Sequence, residues 1–235
     1  MINSSKIKIG YSKINTLLKE FGIEYMVNKT KPIELNPSNI TSKFFNEIRR
    51  GRYTDGYKEC RDKYDYDFLL TDGDIFLFEM WQDENHHVNK LYYLFLESPY
   101  QISTYNEYLT NNGMSYTDVG DSLLESFFIE SDNFLKKGNV LKIHYDYFPD
   151  DYVELVHPAS HIHFGNKDDV RIPINSILSP VEFVCMCLKI TKYDRWKNAI
   201  KTPSFLDIVL SQKSNTSNLE SCFFSQNDSR EFHFV

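Results

Sequence analysis

The sequence predicts an α+β fold in which helices flank an antiparallel, strongly curved sheet in a single main domain. The predicted elements come as helices, then strands, then helices, then strands, which is typical of this class. Hydrophobic residues make up 41% of the 235 residues and aromatic residues 15%, enough for a large core. We divide the chain into an N-terminal helical region (1–66), a central region with the sheet and the candidate site (67–202), and a C-terminal helix with an edge strand (203–235).

The N-terminal region is predicted to be helical. Residues 11–21 carry apolar side chains at helical spacing, and Asn36-Pro37-Ser38 is a suitable cap and first turn for a second helix reaching about Arg50. From residue 67 the period changes to two. Strands are expected at 68–70, 75–81 and 88–96, and the turn Asp72-Gly73-Asp74 joins the first two into a hairpin.

The second half of the chain repeats this order. Helices are predicted at 100–108 and 121–133, a strand at 141–147, and short strands around 161–164 and 171–174. Ser179-Pro180-Val181-Glu182 predicts a helix start, with Phe183, Val184, Met186, Cys187 and Ile190 as the buried stripe. A helix at 204–210 and an edge strand at 231–235 complete the prediction.

The candidate site is predicted around a run of histidines. Three of the chain's seven histidines lie in His157-Pro158-Ala159-Ser160-His161-Ile162-His163. Histidine titrates near neutrality, so it can act as an acid, a base or a neutral metal ligand. Strand alternation places the polar side chains of this stretch and of strand 141–147 on one sheet face. The candidate catalytic residues are therefore His144, Asp146, His157, His161, His163 and Arg171.

Three interpretations of these residues remain open. In the first, His161, His163 and Arg171 supply base, acid and cation for metal-independent cleavage of a phosphodiester. This requires the three side chains to line one solvent-accessible surface. This reading needs no cofactor. In the second, His161 and His163 bind Zn²⁺ or a similar ion, with Asp146, His144 or His157 completing the shell. In the third, the histidines hydrogen-bond the backbone around Pro158 and only shape the loop.

A second candidate surface combines cations with an aromatic ring. Arg49, Arg50, Arg52 and Tyr53 have the interleaved pattern of a single-stranded nucleic-acid surface. The alternative is a solvated helix end followed by tyrosines whose rings pack inward.

Charge and missing motifs exclude several classes. The net charge of −7 argues against a general electrostatic coat for nucleic acid, so any such contact must be local. Four cysteines without CxxC spacing, no signal peptide and no apolar run near 20 residues predict a cytoplasmic protein that does not engage membranes. The chain also lacks the GxxxxGK[ST], GxGxxG, GxSxG and HExxH motifs of common nucleotide, serine and zinc enzymes.

These residues resemble a known family. Asp146, the run from His157 to His163, Arg171-Ile172-Pro173 and Ser179-Pro180-Val181-Glu182-Phe183 resemble bacterial family 2290 of the domains of unknown function, over about residues 67–193. The chain has Asn89-Lys90-Leu91 where that family is expected to carry His-Arg-Leu, so no catalytic arginine is expected there. The resemblance implies a site but no activity. The Pro-x-x-His-x-His string is also similar to one in small ribonuclease toxins of toxin–antitoxin systems.

We expect a bacterial protein that processes or cleaves RNA in a toxin–antitoxin or anti-phage setting, together with a protein partner. One alternative is a non-catalytic subunit that recognises a partner protein or nucleic acid. The other is a zinc-binding hydrolase. The sequence leaves open whether the protein is an enzyme.

Overall fold

The computed structural model describes residues 2–28, 52–100, 104–131, 137–165, 169–213 and 217–234. Within these ranges the chain forms eight α-helices, a seven-stranded antiparallel sheet and a two-stranded sheet. The predicted α+β class, with its antiparallel sheet in one domain, is confirmed. The helix predicted for residues 37–50 lies outside the described residues.

The elements are as follows. The helices are Ser4–Phe21 (α1), Tyr53–Asp62 (α2), Tyr105–Asn111 (α3), Tyr116–Val119 (α4), Leu124–Ser131 (α5), Pro180–Thr191 (α6), Tyr193–Ala199 (α7) and Pro203–Lys213 (α8). The strands are Tyr25–Val27 (β1), Phe68–Leu70 (β2), Ile75–Gln82 (β3), Val88–Leu96 (β4), Lys142–Tyr147 (β5), Ser160–Phe164 (β6), Ile172–Pro173 (β7), Ser176–Ile177 (β8) and Ser217–Asn218 (β9).

The main sheet is a meander in which β1 to β7 lie side by side in chain order. The predicted hairpin of β2 and β3 and its extension by β4 are confirmed. The turn after β2 needs its glycine, because Gly73 has a φ of +87° and an added Cβ would lie 2.9 Å from the Ser98 Oγ. The short strand β1, which pairs with β2, has too little alternation to have been predicted.

The two faces of the sheet are covered differently. On one face, α1 and α6 to α8 pack on a continuous aromatic core that includes Phe76, Phe78, Tyr93 and Phe183. On the opposite face, α2 covers only the part of the sheet around β2, β3 and the end of β4. The remaining part of that second face, on β4 to β7, carries the histidines. This uneven coverage positions the candidate site.

Several helix predictions need correction. Helix α1 begins at Ser4, seven residues before the prediction, with the Asn3 side chain as its cap. The helix predicted at 100–108 is α3, which begins at Tyr105 after a capping box at Thr104. In α6 the predicted cap is confirmed, but Ile190 is 45% exposed because Leu188 continues the buried line from Val184.

The structure also differs from the prediction at the C-terminal end of the chain and at helix α2. The expected edge strand at 231–235 is reduced, among its described residues, to one bridge between Phe234 and Ile174. Helix α2 was not predicted at all, although Tyr53, Tyr57 and Cys60 have helical spacing and are buried. Across the described ranges, no helix combines the length and apolar character that crossing a membrane requires.

Candidate metal centre

The histidines meet Asp146 because the paired strands β5 and β6 place them on the same face. In the register of β4, β5 and β6, Asp146 lies opposite Tyr92 on one side and His161 on the other. His144 lies opposite His163. The alternate residues Ile143, Tyr145 and Ile162 point into the aromatic core on the other face. The predicted alternation of both strands is therefore confirmed.

Three imidazoles converge on one carboxylate oxygen. The Oδ2 atom of Asp146 lies 3.3 Å from the Nε2 of His144, 3.6 Å from that of His163 and 3.8 Å from that of His161. The rings of His144 and His163 stack with centroids 3.9 Å apart and planes 16° apart. The ring of His161 stands at 67° to that of His163. The cluster is thus compact, with its Nε2 atoms facing Asp146.

The backbone determines which nitrogen of His161 carries a hydrogen. Its Nδ1 lies 2.8 Å from the carbonyl oxygen of Pro158. Since a carbonyl oxygen only accepts, this Nδ1 carries the hydrogen, and the Nε2 of the neutral ring presents a lone pair to Asp146. The third interpretation, in which the histidines bond the backbone near Pro158, therefore describes His161, but the Nδ1 atoms of His144, His157 and His163 are buried without a hydrogen-bond partner.

Burial keeps the central rings neutral near pH 7. Burial lowers the pKa of His161 to about 4, against the opposing effect of Asp146. Burial, then the neighbouring His144 and His161, lower the pKa of His163 to about 3. Burial alone would raise the pKa of Asp146, but a hydrogen bond from His144 and the nearby imidazoles hold it below its usual range. The site therefore combines an ionised carboxylate with neutral imidazoles.

The cluster is largely sealed from solvent. His161 and His163 are each 2% exposed, whereas the side chain of Asp146 is 23% exposed. The expectation that His161 and His163 share a face with Arg171 agrees with the register. The expectation that they line a solvent-accessible surface is wrong, because both rings are buried. Asp146 is the most exposed of the four side chains in the cluster.

Arg171 and His157 lie at the margin of the cluster. Arg171 precedes β7, in which Pro173 lies opposite His161, so alternation places Arg171 on the histidine face beside His163. Its positive charge contributes to the low pKa of both His161 and His163. His157 is half-buried, and its ring meets that of His161 edge to face at 5.2 Å.

A metal ion would be held by a slightly different set from the predicted one. His144, Asp146 and His163 each offer one ligand atom, and these atoms lie within 4.8 Å of one another. The predicted pair was His161 and His163, with His144 among the options for completing the shell. Because the register of a strand pair cannot be read from the sequence, the direct alignment of His144 with His163 was not predicted. His161 lies just outside this set, as a neighbouring fourth donor.

Lys90 occupies the position at which an arginine was expected from the resemblance. Its Nζ lies 4.9 Å from the centre of the Trp81 ring and 5.0 Å from that of Phe148. These cation–π contacts hold the ammonium group on the same sheet face as Tyr92.

The second predicted surface is only partly described. Arg49 and Arg50 lie outside the described residues. Arg52 is exposed at the start of α2, but Tyr53 is only 6% exposed and its hydroxyl donates to the carbonyl oxygen of Glu97 at 2.6 Å. Its ring is covered, which contradicts a stacking role for Tyr53.

Comparison with known proteins identifies the family of this α+β protein. A family profile described as "Uncharacterized conserved protein (DUF2290)" matches residues 17–235. The chain therefore belongs to this family, as the resemblance implied, and the match extends beyond the residues that carried it. No curated protein and no solved structure matches the chain significantly.

Proposed function

We propose that the protein is a metal-dependent hydrolase whose metal ion, of the Zn²⁺ class, is held by His144, Asp146 and His163. The observation that carries this proposal is the convergence of imidazole Nε2 atoms on the Asp146 carboxylate at 3.3 to 3.8 Å. Ligand atoms around a tetrahedral zinc ion, each about 2.0–2.1 Å from the metal, are about 3.4 Å apart.

The electrostatics of the cluster support a cation. A neutral His161 points a lone pair at an ionised carboxylate, because its hydrogen is held by the Pro158 carbonyl. Two acceptors facing each other in a buried site repel unless a cation lies between them. A proton is a poor solution near pH 7, since the pKa of His161 is about 4. A divalent ion bound by Asp146 would offset this repulsion, with His161 beside the ligand set.

The donor atoms favour a transition metal over Mg²⁺ or Ca²⁺. Two imidazole nitrogens and one carboxylate oxygen suit zinc and its neighbours, whereas Mg²⁺ and Ca²⁺ prefer oxygen ligands. Three protein ligands with an open position are typical of catalytic zinc sites, in which the metal lowers the pKa of a bound water to about 7. The exposed edge of Asp146 leaves room for such access.

Metal-independent acid–base cleavage has less support. A general acid must hold its proton near neutral pH, whereas the pKa values of His161 and His163 lie at about 4 and about 3. Both rings are also buried. RNA cleavage remains a reasonable assay for this site, but with a metal ion present.

The test begins with metal binding by the full chain. Zn²⁺ should bind at one ion per chain in competition with a chromophoric chelator, and His144→Gln and Asp146→Asn should each weaken binding by more than about tenfold. His86→Asn is the matched control, because His86 is exposed in the β3–β4 turn at a φ of 64° that asparagine tolerates.

The second step is turnover. The zinc-loaded chain is assayed on RNA, a chromogenic phosphodiester and a carboxylic ester, with chelator-treated protein alongside. Hydrolysis that requires the metal and is lost in His144→Gln supports the proposal. A wild-type chain that binds none of Zn²⁺, Co²⁺, Ni²⁺ and Mn²⁺, or that binds zinc equally well as His144→Gln, would refute it.

A further inference from the structure

An unpaired cation lies beside the proposed metal centre. Arg171 is half-buried, its Nε is buried without a hydrogen-bond partner, and among the described residues no carboxylate pairs with its guanidinium. Arginine stays charged at every ordinary pH. A partly buried guanidinium without a counter-ion is unfavourable, so its position calls for an explanation.

Asp146 does not serve as the partner of Arg171. Asp146 is engaged by three imidazoles and makes no ion pair with Arg171. A divalent ion at the centre would add positive charge next to the guanidinium, with Asp146 as the sole carboxylate in the described cluster. Such a cluster retains an excess of positive charge until an anion binds beside it.

We propose that Arg171 forms an oxyanion subsite beside the metal centre and that the substrate is a phosphodiester. This inference rests on the proposed function. The planar guanidinium fork matches two phosphate oxygens, and arginine is favoured wherever such bidentate recognition is needed. A singly charged phosphodiester also neutralises part of the excess charge, which a neutral ester or amide does not.

The register gives this subsite its place. Arg171 lies on the histidine face at the β7 side of His163, while Asp146 lies two residue pairs further along the strands, in the next pair on the same face. A phosphate held by Arg171 would therefore adjoin the ligand set. Lys90 adds a second cation on the same face, at the β4 side, where its contacts with Trp81 and Phe148 hold it.

The reaction that follows is a simple hydrolysis. Oxygen from water forms a bond to phosphorus, and the bond from phosphorus to the leaving ester oxygen breaks. The proton released by the water is transferred to the leaving oxygen, directly or through solvent, so neither an oxidant nor a further reactant is needed.

The experiment separates Arg171 from the metal. Zinc affinity, inorganic phosphate binding and turnover of a chromogenic phosphodiester are measured on the full zinc-loaded chain and on Arg171→Met and Arg171→Lys. Arg195→Met is the matched control, because Arg195 is exposed on α7. We expect Arg171→Met to keep its zinc and lose phosphate affinity by roughly 10- to 100-fold, with Arg171→Lys between the two.

Two further readouts distinguish a substrate contact from a structural role. Hydrolysis of a carboxylic ester should change by less than about twofold in Arg171→Met while phosphodiester turnover falls by the same factor as phosphate affinity. Removing an unpaired cation should also leave the urea midpoint unchanged or raise it.

The possible failures differ from one another. Equal phosphate affinity in zinc-loaded wild type and Arg171→Met overturns the subsite alone. A wild-type chain without zinc affinity overturns the metal centre and the subsite with it. If Arg171→Met does not fold, Arg171→Lys decides the question. Lysine lacks the fork that matches two phosphate oxygens, so phosphate affinity equal to that of wild type in Arg171→Lys contradicts the proposal.

Discussion

A buried ion triad gives the sharpest prediction about stability. The ammonium group of Lys192, at the junction of α6 and α7, lies 2.5 Å from Asp72 and 2.6 Å from Asp74 in the β2–β3 turn. The side chain of Asp74 is only 3% exposed. Burial alone would lower the pKa of Lys192, but the two carboxylates raise it above its ordinary value. The lysine therefore stays charged and holds both carboxylates.

The magnitude follows from what Lys192→Met leaves behind. Two neighbouring carboxylates lose their shared cation, one of them fully buried, and breaking a buried pair in this way costs about 3–5 kcal/mol. Asp72 is 32% exposed, so solvent screens its part and the lower end of that range is expected. For a chain of 235 residues each kcal/mol corresponds to about 2–4 °C in Tm, which gives a decrease of roughly 6–12 °C.

The assay is urea and thermal unfolding of four proteins. Lys189→Met is the matched control, because Lys189 lies on the same helix and is exposed. The triple variant Lys192→Met/Asp72→Asn/Asp74→Asn removes the uncompensated charges and should recover most of the lost stability. If Lys192→Met unfolds within about 1 kcal/mol of wild type, or if the triple variant is no more stable than Lys192→Met, the triad does not act as described.

Three other predictions concern single groups. In chelator-treated protein, the unfolded chain takes up protons at His161 and His163 below about pH 6.5, whereas the folded chain does not until about pH 4 and about pH 3. The free energy of unfolding should therefore fall by about 2 kcal/mol for each ring from pH 7 to pH 5, and a flat urea profile contradicts this. The titratable and charged groups facing the His161 ring are Asp146, His157, His163 and Arg171, and His144 also faces the His163 ring. Ser179→Ala removes the cap of α6 and should cost about 1 kcal/mol, with no effect on zinc affinity. Tyr11→Phe removes a 2.7 Å hydrogen bond to the buried Asp67 and should cost about 1.5–3 kcal/mol by urea unfolding, unlike Tyr64→Phe at an exposed ring.

Local patterns predicted the parts of the fold that depend on neighbouring residues. The alternation from 68 to 96 predicted β2 to β4 almost to the residue, and the Ser179 capping box predicted the start of α6. Helix α2 was not predicted, although the inward packing expected for its tyrosines agrees with the burial of Tyr53 and Tyr57 and their spacing is helical. The exposure of Ile190 and the short bridge at Phe234 depend on what packs nearby, which local patterns do not contain.

The candidate site, like the fold, could be predicted from local patterns only in part. Alternation placed His144 with Asp146 and His161 with His163, because each pair is two residues apart on one strand. It could not predict that β5 and β6 pair, or in which register. A slip of one residue would have moved one pair to the core face. The exchange of His144 for His161 in the ligand set, and the burial of the rings, both follow from that register.

The strongest reason to assign the cluster a function is the contrast with three other buried carboxylates among the described residues. Each of these three is met by good donors: Asp67 by the Tyr11 hydroxyl and the Phe78 amide, Asp74 by Lys192 and the Ser98 amide, and Asp228 by the Tyr152 hydroxyl and two backbone amides. Asp146 instead faces ring nitrogens at 3.3 Å or more, of which at least that of His161 lacks a hydrogen near neutral pH. This contrast supports the proposal that the Asp146 site takes a cation from outside the chain and that Arg171, whose Nε is buried without a hydrogen-bond partner, takes an anion beside it.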